Sequence, residues 1–73
     1  MIAEMYELRD RIRPVMRAKY PRGSSVRNRF ANQTACLNNV KEDGYIGGEA
    51  GITPEHLARE YAWLQALAVE LGV

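Results

Sequence analysis

The apolar residues of this chain recur at three- and four-residue steps in three separate stretches. That spacing places side chains on one face of an α-helix. The stretches cover about residues 2–19, 25–41 and 54–71. The pattern therefore predicts an all-α fold, a compact three-helix module formed by residues 1–73 as a single domain.

The first predicted helix contains a proline. Its apolar stripe consists of Ile2, Met5, Leu8, Ile12 and Met16. Pro14 removes one backbone hydrogen bond and disfavours α geometry at the residue before it. We therefore expect a kink, or a short second helix beginning at Pro14. The sequence Tyr20-Pro21-Arg22-Gly23 is expected to end this segment.

The starts of the other two helices are marked by capping residues. Ser24 or Ser25 is expected to cap the second helix, because a serine oxygen can accept a bond from a free first-turn amide. Thr53 is expected to cap the third helix, with Pro54 at the first helical position. Between these helices, residues 43–52 contain four of the six glycines and predict a loop or a tiny hairpin. The apolar stripe of the second helix consists of Val26, Phe30, Gln33, Leu37 and Val40.

The third helix has more apolar residues than one buried face needs. Its inner face is formed by Leu57, Tyr61, Leu64, Ala68 and Leu71. Further apolar residues line both flanks, and a helix that is apolar around most of its girth is usually buried on more than one side. We therefore predict a helical homo-oligomer whose interface consists of Ala58, Ala62, Trp63, Leu67 and Val69.

Composition argues against the other ways in which a small domain is stabilised. A 73-residue core is small, and such domains often add a disulfide, a metal or a partner chain. Cys36 and His56 are the single cysteine and the single histidine, so neither a disulfide nor a zinc site is expected. We expect a cytoplasmic protein with no metal, cofactor, membrane contact or catalytic triad, and thus no enzyme.

Charge is divided unevenly along the chain. The formal net charge is +1, but residues 1–30 contain eight basic and three acidic side chains, and residues 31–73 contain two basic and six acidic ones. Seven of the eight basic residues in the first part are arginine. Arginine offers a planar fork of donors that matches phosphate or carboxylate. The bias favours an anionic ligand.

The densest group of candidate ligand-binding residues lies at the junction of the first two helices. A glycine, two hydroxyls, a helix N-terminus and several arginines are the components of an anion site, and an aromatic ring beside them could stack on a base. With two arginines of the first helix included, the predicted phosphate-binding residues are Arg13, Arg17, Tyr20, Arg22, Ser24, Ser25, Arg27 and Arg29.

Two functions are compatible with this arginine-rich half. The leading hypothesis is a small inhibitor, of the kind that phages use against host defence, which sequesters a phosphorylated nucleotide or binds an acidic protein surface. The alternative is a DNA- or RNA-binding regulator whose arginines neutralise backbone phosphates. The acidic second half would repel a polyanion, and no helix-turn-helix pair is evident.

Two segments resemble pieces of a known enzyme family. Glu7-Leu8-Arg9-Asp10-Arg11-Ile12 and Gly51-Ile52-Thr53-Pro54-Glu55 are similar to the opening and closing pieces of the all-helical chorismate mutases. The resemblance covers barely a third of the chain. It implies a helical dimer whose arginines grip a dicarboxylate, and an uninterrupted long first helix that Pro14 and Pro21 would break. It is therefore the remote alternative.

The predicted interface can be tested by substitution. Trp63→Ala or Leu67→Ala is expected to change the oligomeric state, because each removes apolar surface from the flank of the third helix. Sedimentation velocity of each variant beside the wild type measures this. Unchanged profiles would contradict the prediction.

Overall fold

A computed structural model describes residues 2–43 and 53–73 of the protein. It has three α-helices, α1 (Ile2–Lys19), α2 (Ser25–Asp43) and α3 (Pro54–Leu71), and no strand among the described residues. The fold is compact, with a Cα radius of gyration of 12.3 Å. The all-helical prediction is confirmed for these ranges. Most of the predicted glycine-rich connector, residues 44–52, and the side chains of residues 39–43, including Val40, lie outside what the structure describes.

Helix α1 continues through its proline. Pro14 lies inside one helix of 18 residues that has the predicted bounds, so of the two expected alternatives the second helix beginning at Pro14 is wrong. Pro14 lacks the N–H that would bond to the carbonyl of Asp10. Both residues are exposed, so water can satisfy that carbonyl.

A tight turn connects α1 to α2. The amide of Ser24 donates to the carbonyl of Pro21 at 3.2 Å, and Gly23 has a φ of +85°. Arg22 has a negative φ, since only glycines have a positive φ among the described residues. A negative φ at the second position followed by a positive φ at the third is typical of a type II turn, in which the third position favours glycine. Ser24 then caps α2, since its Oγ accepts from the amide of Arg27 at 3.3 Å.

Helix α3 has a defined cap at each end. The Thr53 side chain accepts from the amide of His56 at 3.1 Å, and Pro54 occupies the first turn, as predicted. At the other end Gly72 is left-handed, and the amides of Gly72 and Val73 donate to the carbonyls of Val69 and Ala68. This is a Schellman motif, which satisfies carbonyls that have no helical donor.

The core lies where the three helices meet, and α1 packs more extensively against α3 than against α2. One predicted interface residue belongs to this core: Leu67 is only 4% exposed and is therefore not a surface contact for a second chain. It belongs to the same buried cluster as Leu64 and Ala68. The buried apolar residues are Met5, Leu8, Ile12, Met16, Phe30, Leu37, Leu57, Leu64, Leu67 and Ala68.

A charged side chain is buried among these apolar ones. Arg9 of α1 is 1% exposed, and its guanidinium donates to the carbonyl of Phe30 at 3.2 Å and to Oε1 of Gln33 at 2.6 Å. It also donates to Oγ1 of Thr34. These acceptors occupy adjacent positions on α2, so Arg9 attaches that helix to α1 through polar bonds.

We expect Arg9→Ala to lower the free energy of unfolding by roughly 2–4 kcal/mol, because it leaves a cavity and removes the donor to the buried Gln33 side chain. Arg11→Ala, on the next and exposed residue of the same helix, is the matched control and should change it by less than about 0.5 kcal/mol. Urea unfolding followed by circular dichroism measures both. Equal stabilities of the two variants would contradict this account of Arg9.

Candidate functional site

A cleft of about 370 Å³ opens between α1 and α2. We call it the arginine cleft. Its volume falls within the range of small-ligand sites, about 300–1,000 Å³. Three of its seven lining residues are arginines, contributed by both helices. The lining consists of Arg13, Met16 and Arg17 of α1 with Arg27, Phe30, Ala31 and Thr34 of α2.

Helical spacing explains why these side chains share the cleft. Arg13 and Arg17 are four residues apart on α1, with Met16 beside them, so they lie on one face. On α2 the lining residues follow steps of three and four from Arg27 to Thr34, which is again a single face. The buried Met16 and Phe30 form the floor, and the arginines form the rim.

The rim has little carboxylate to neutralise it. Nη1 of Arg13 pairs with Oδ1 of Asp10 at 2.9 Å, where the Arg13 side chain is half-buried and the Asp10 side chain is exposed. Arg17 has no ion-pair partner among the side chains that the structure describes, those of residues 2–38 and 53–73, and Arg27 donates to the carbonyl of Tyr20 at 3.5 Å. An anion entering the cleft would therefore meet guanidinium groups with free donors.

Arg9 adds a further positive charge directly behind the cleft. Its Cζ lies 3.9 Å from the ring centroid of Phe30, and it bonds to Thr34, so two lining residues contact it. All of its hydrogen-bond acceptors are neutral. Burial lowers the pKa of the Arg9 guanidinium, and the nearby charge of Arg13 lowers that pKa further. Arginine nevertheless stays protonated near neutral pH.

The sequence-based prediction of the site missed Arg9. A signal was present, since Arg9 follows Met5 by four residues and precedes Ile12 by three, which is the spacing of the inner stripe. Gln33 and Thr34 on α2 offered the polar partners that a buried guanidinium needs. The spacing of residues within one helix does not show that α1 and α2 pack with Arg9 opposite Gln33 and Thr34.

Tyr20 does not line the arginine cleft. Its hydroxyl donates to Oε1 of Glu70 at 2.9 Å, and the ammonium of Lys19 lies 5.5 Å from its ring centroid. The hydrogen bond to Glu70 raises the pKa of the Tyr20 hydroxyl. The ring is directed toward α3, so the predicted stacking of a base on Tyr20 has no support in the geometry.

The residues of the turn occupy other positions. Ser24 uses its hydroxyl oxygen as the α2 cap. Ser25 and Arg22 are exposed and lie outside the lining of the cleft. Of the eight residues predicted to bind phosphate, the structure therefore brings three together in the cleft, Arg13, Arg17 and Arg27.

Arg29 faces α3 instead of the cleft. Its Nη2 pairs with Oε2 of Glu60 at 2.8 Å, and its Cζ lies 4.6 Å from the ring centroid of Trp63. Gln33 donates to Oε1 of the same carboxylate at 3.2 Å. Burial by itself would raise the pKa of Glu60, but the bonds from Arg29 and Gln33, with the charges of Arg29 and His56, hold it below its ordinary value.

The predicted interface residues are distributed between core and surface. Ala58 and Ala62 are exposed, and Val69 is 82% exposed. Trp63 is half-buried beside Arg29, and Leu67 is in the core as described above. The exposed part of the predicted interface is therefore one strip of α3.

Comparison with known proteins gives no relative from which to transfer a function. No family model matches the chain, and neither a curated protein nor a solved structure matches it. Within the described ranges no helix has the length and apolar character to span a membrane. In those same ranges, no three His, Cys, Asp or Glu residues are grouped so that they could hold a metal ion.

We expect Arg29→Ala to lower the free energy of unfolding at pH 7 by about 1–2 kcal/mol, because Glu60 loses its charged donor. A folded-state pKa below the ordinary value of 4.5 means that this stabilisation is present above pH 4.5 and is lost as the pH falls through the folded-state pKa. The difference between variant and wild type should therefore shrink in acid. Urea titrations between pH 7 and about pH 3 measure it.

The matched control is Arg59→Ala, since Arg59 is exposed and forms no ion pair among the described residues. This variant should differ little from wild type at either pH. A loss for Arg29→Ala that is independent of pH would assign its contribution to Trp63 alone.

Proposed function

We propose that this chain is a small binding protein that captures a phosphorylated small molecule of nucleotide type in the arginine cleft. The observation that supports this most directly is the convergence of Arg13, Arg17 and Arg27 from two helices on one cleft. Each guanidinium offers paired N–H donors that match two oxygens of a phosphate. The nearest carboxylate, Asp10, pairs with one of the three arginines.

The lining of the cleft favours binding over chemistry. Thr34 is the lining residue with a hydroxyl, and this hydroxyl donates to the carbonyl of Phe30 and accepts from Arg9. The other lining residues are arginines and apolar side chains, which provide neither a nucleophile nor a general base. We therefore propose a non-enzymatic role in which the ligand is held and released unchanged.

Recognition is proposed to depend on the phosphate group more than on a base. Phe30 is 5% exposed, with Arg9 and Arg13 at 3.9 and 5.7 Å from its ring centroid. Its faces are therefore occupied, and a purine or pyrimidine has no open aromatic platform in the cleft. The part of the ligand beyond the phosphate would lie over the exposed Ala31 and the open side of the cleft.

Capture of such a ligand would deprive other proteins of it. This would make the chain an antagonist, in line with the anti-defence role predicted from the sequence. Self-association through Ala58, Ala62 and Val69 is likewise a proposal, supported by the exposure of these residues on one strip of α3.

Isothermal titration calorimetry with AMP and ADP tests the proposed function. We expect saturable binding, weakened roughly tenfold or more by Arg17→Ala and by Arg27→Ala, because each removes a charge-assisted bond worth about 1.5–3 kcal/mol. Arg59→Ala is the matched control, since it removes an exposed arginine from α3, away from the cleft. It should leave the affinity within about twofold.

Circular dichroism of each variant confirms that the helices are intact. No heat with either nucleotide at millimolar concentration would rule out the proposed function. Equal losses for Arg17→Ala and Arg59→Ala would place the binding outside the arginine cleft.

A further inference from the structure

We infer that the arginine cleft selects a terminal phosphate, as in a phosphate monoester or a diphosphate, over the phosphodiester of a nucleic-acid backbone. This inference rests on the proposed function and specifies its ligand class. A terminal phosphate has close to two negative charges at neutral pH and three free oxygens, whereas a phosphodiester has one charge and two free oxygens.

The charge around the cleft favours a dianionic ligand. Arg13, Arg17 and Arg27 line it, and Arg9 lies behind its floor. Asp10 is the one carboxylate that pairs with any of these four guanidinium groups among the described residues. The cleft therefore has an excess of positive charge. A bound dianion would neutralise more of this charge than a bound monoanion would.

The burial of Arg9 preserves the positive field that this residue contributes to the cleft. An exposed guanidinium is screened by water and salt, but one that is 1% exposed is screened much less. The oxygens to which Arg9 donates are neutral. The nearby carboxylate of Asp10 offsets its field only in part, because that side chain is exposed to solvent and is paired with Arg13. Phe30 and Thr34 are the residues that separate it from the cleft. The field of Arg9 thus favours the ligand with the greater negative charge.

The placement of the three rim arginines matches the three free oxygens of a terminal phosphate. Arg13 and Arg17 extend from successive turns of α1, and Arg27 extends from the facing helix. Donors thus approach the cleft from three positions. A terminal phosphate can offer one free oxygen to each, while a phosphodiester has ester oxygens where two of its four substituents stand.

The ligand, not the cleft, should determine the pH dependence of binding. The charged groups that face the cleft are Arg13, Arg17 and the Asp10 carboxylate on α1, Arg27 on α2, and Arg9 behind it, while no α3 residue lines it. Arginine keeps its charge throughout the acid and neutral range. The second phosphate pKa lies near 6, so acidification converts a monoester to the monoanion.

The test compares AMP with its phosphate methyl ester by calorimetry at pH 7.5. The two ligands share base and sugar, and differ by one charge and one free oxygen. We expect the ester to bind at least about tenfold more weakly, the loss of roughly one charge-assisted bond. Lowering the pH to 5.5 should reduce the affinity for AMP about threefold and leave the affinity for the ester unchanged, since only the AMP phosphate titrates in this range.

Arg17→Ala provides the internal check, because Arg17 is exposed and pairs with no carboxylate in the described chain. It should reduce the ratio of the AMP and ester affinities, whereas Arg59→Ala should preserve that ratio. Equal binding of AMP and its ester would overturn the terminal-phosphate inference and leave the proposed function standing. Binding of neither ligand would overturn both.

Discussion

The buried guanidinium of Arg9 is the interaction on which the arrangement of the helices depends. All three helices contribute apolar side chains to the core, and α2 is joined to α1 in addition through the bonds from Arg9 to Phe30, Gln33 and Thr34. A charge out of contact with water is tolerated when its donors are satisfied, and a shift of α2 along α1 would leave them unsatisfied. The polar bonds therefore specify one register, which apolar packing alone would specify less strictly.

The same bonds continue to the third helix. Gln33 accepts from Arg9 through its oxygen and donates to Glu60 of α3 through its nitrogen, and Glu60 also accepts from Arg29. One amide side chain thus connects all three helices. No buried side-chain nitrogen or oxygen lacks a hydrogen-bond partner among the described residues, which is the condition under which a buried polar network stabilises a small core.

The arginine cleft is a consequence of this arrangement. Two of its lining residues on α2, Phe30 and Thr34, are the ones that Arg9 contacts, and its rim comes from residues on regular helix. Side chains presented by helices are positioned more reproducibly than those on loops. Six of the eight residues predicted to bind phosphate lie in the contiguous stretch Tyr20 to Arg29, but a helix turns by about 100° per residue. Because Arg27 and Arg29 are two residues apart on α2, they point in different directions: Arg27 faces α1 and Arg29 faces α3.

The sequence by itself determined the features that depend on neighbouring residues: three helices, their apolar stripes, a serine cap at Ser24 or Ser25, the cap at Thr53, and a surplus of arginine near the first turn. These follow from spacing and from bonds within one or two turns of chain. Only the tertiary structure decided that Arg9 and Leu67 are buried and that three arginines share one cleft. Those outcomes depend on which helices pack together and on how far each is shifted along its neighbour. The burial of a side chain and the charges around it are set by residues brought close in space, which need not be adjacent in sequence.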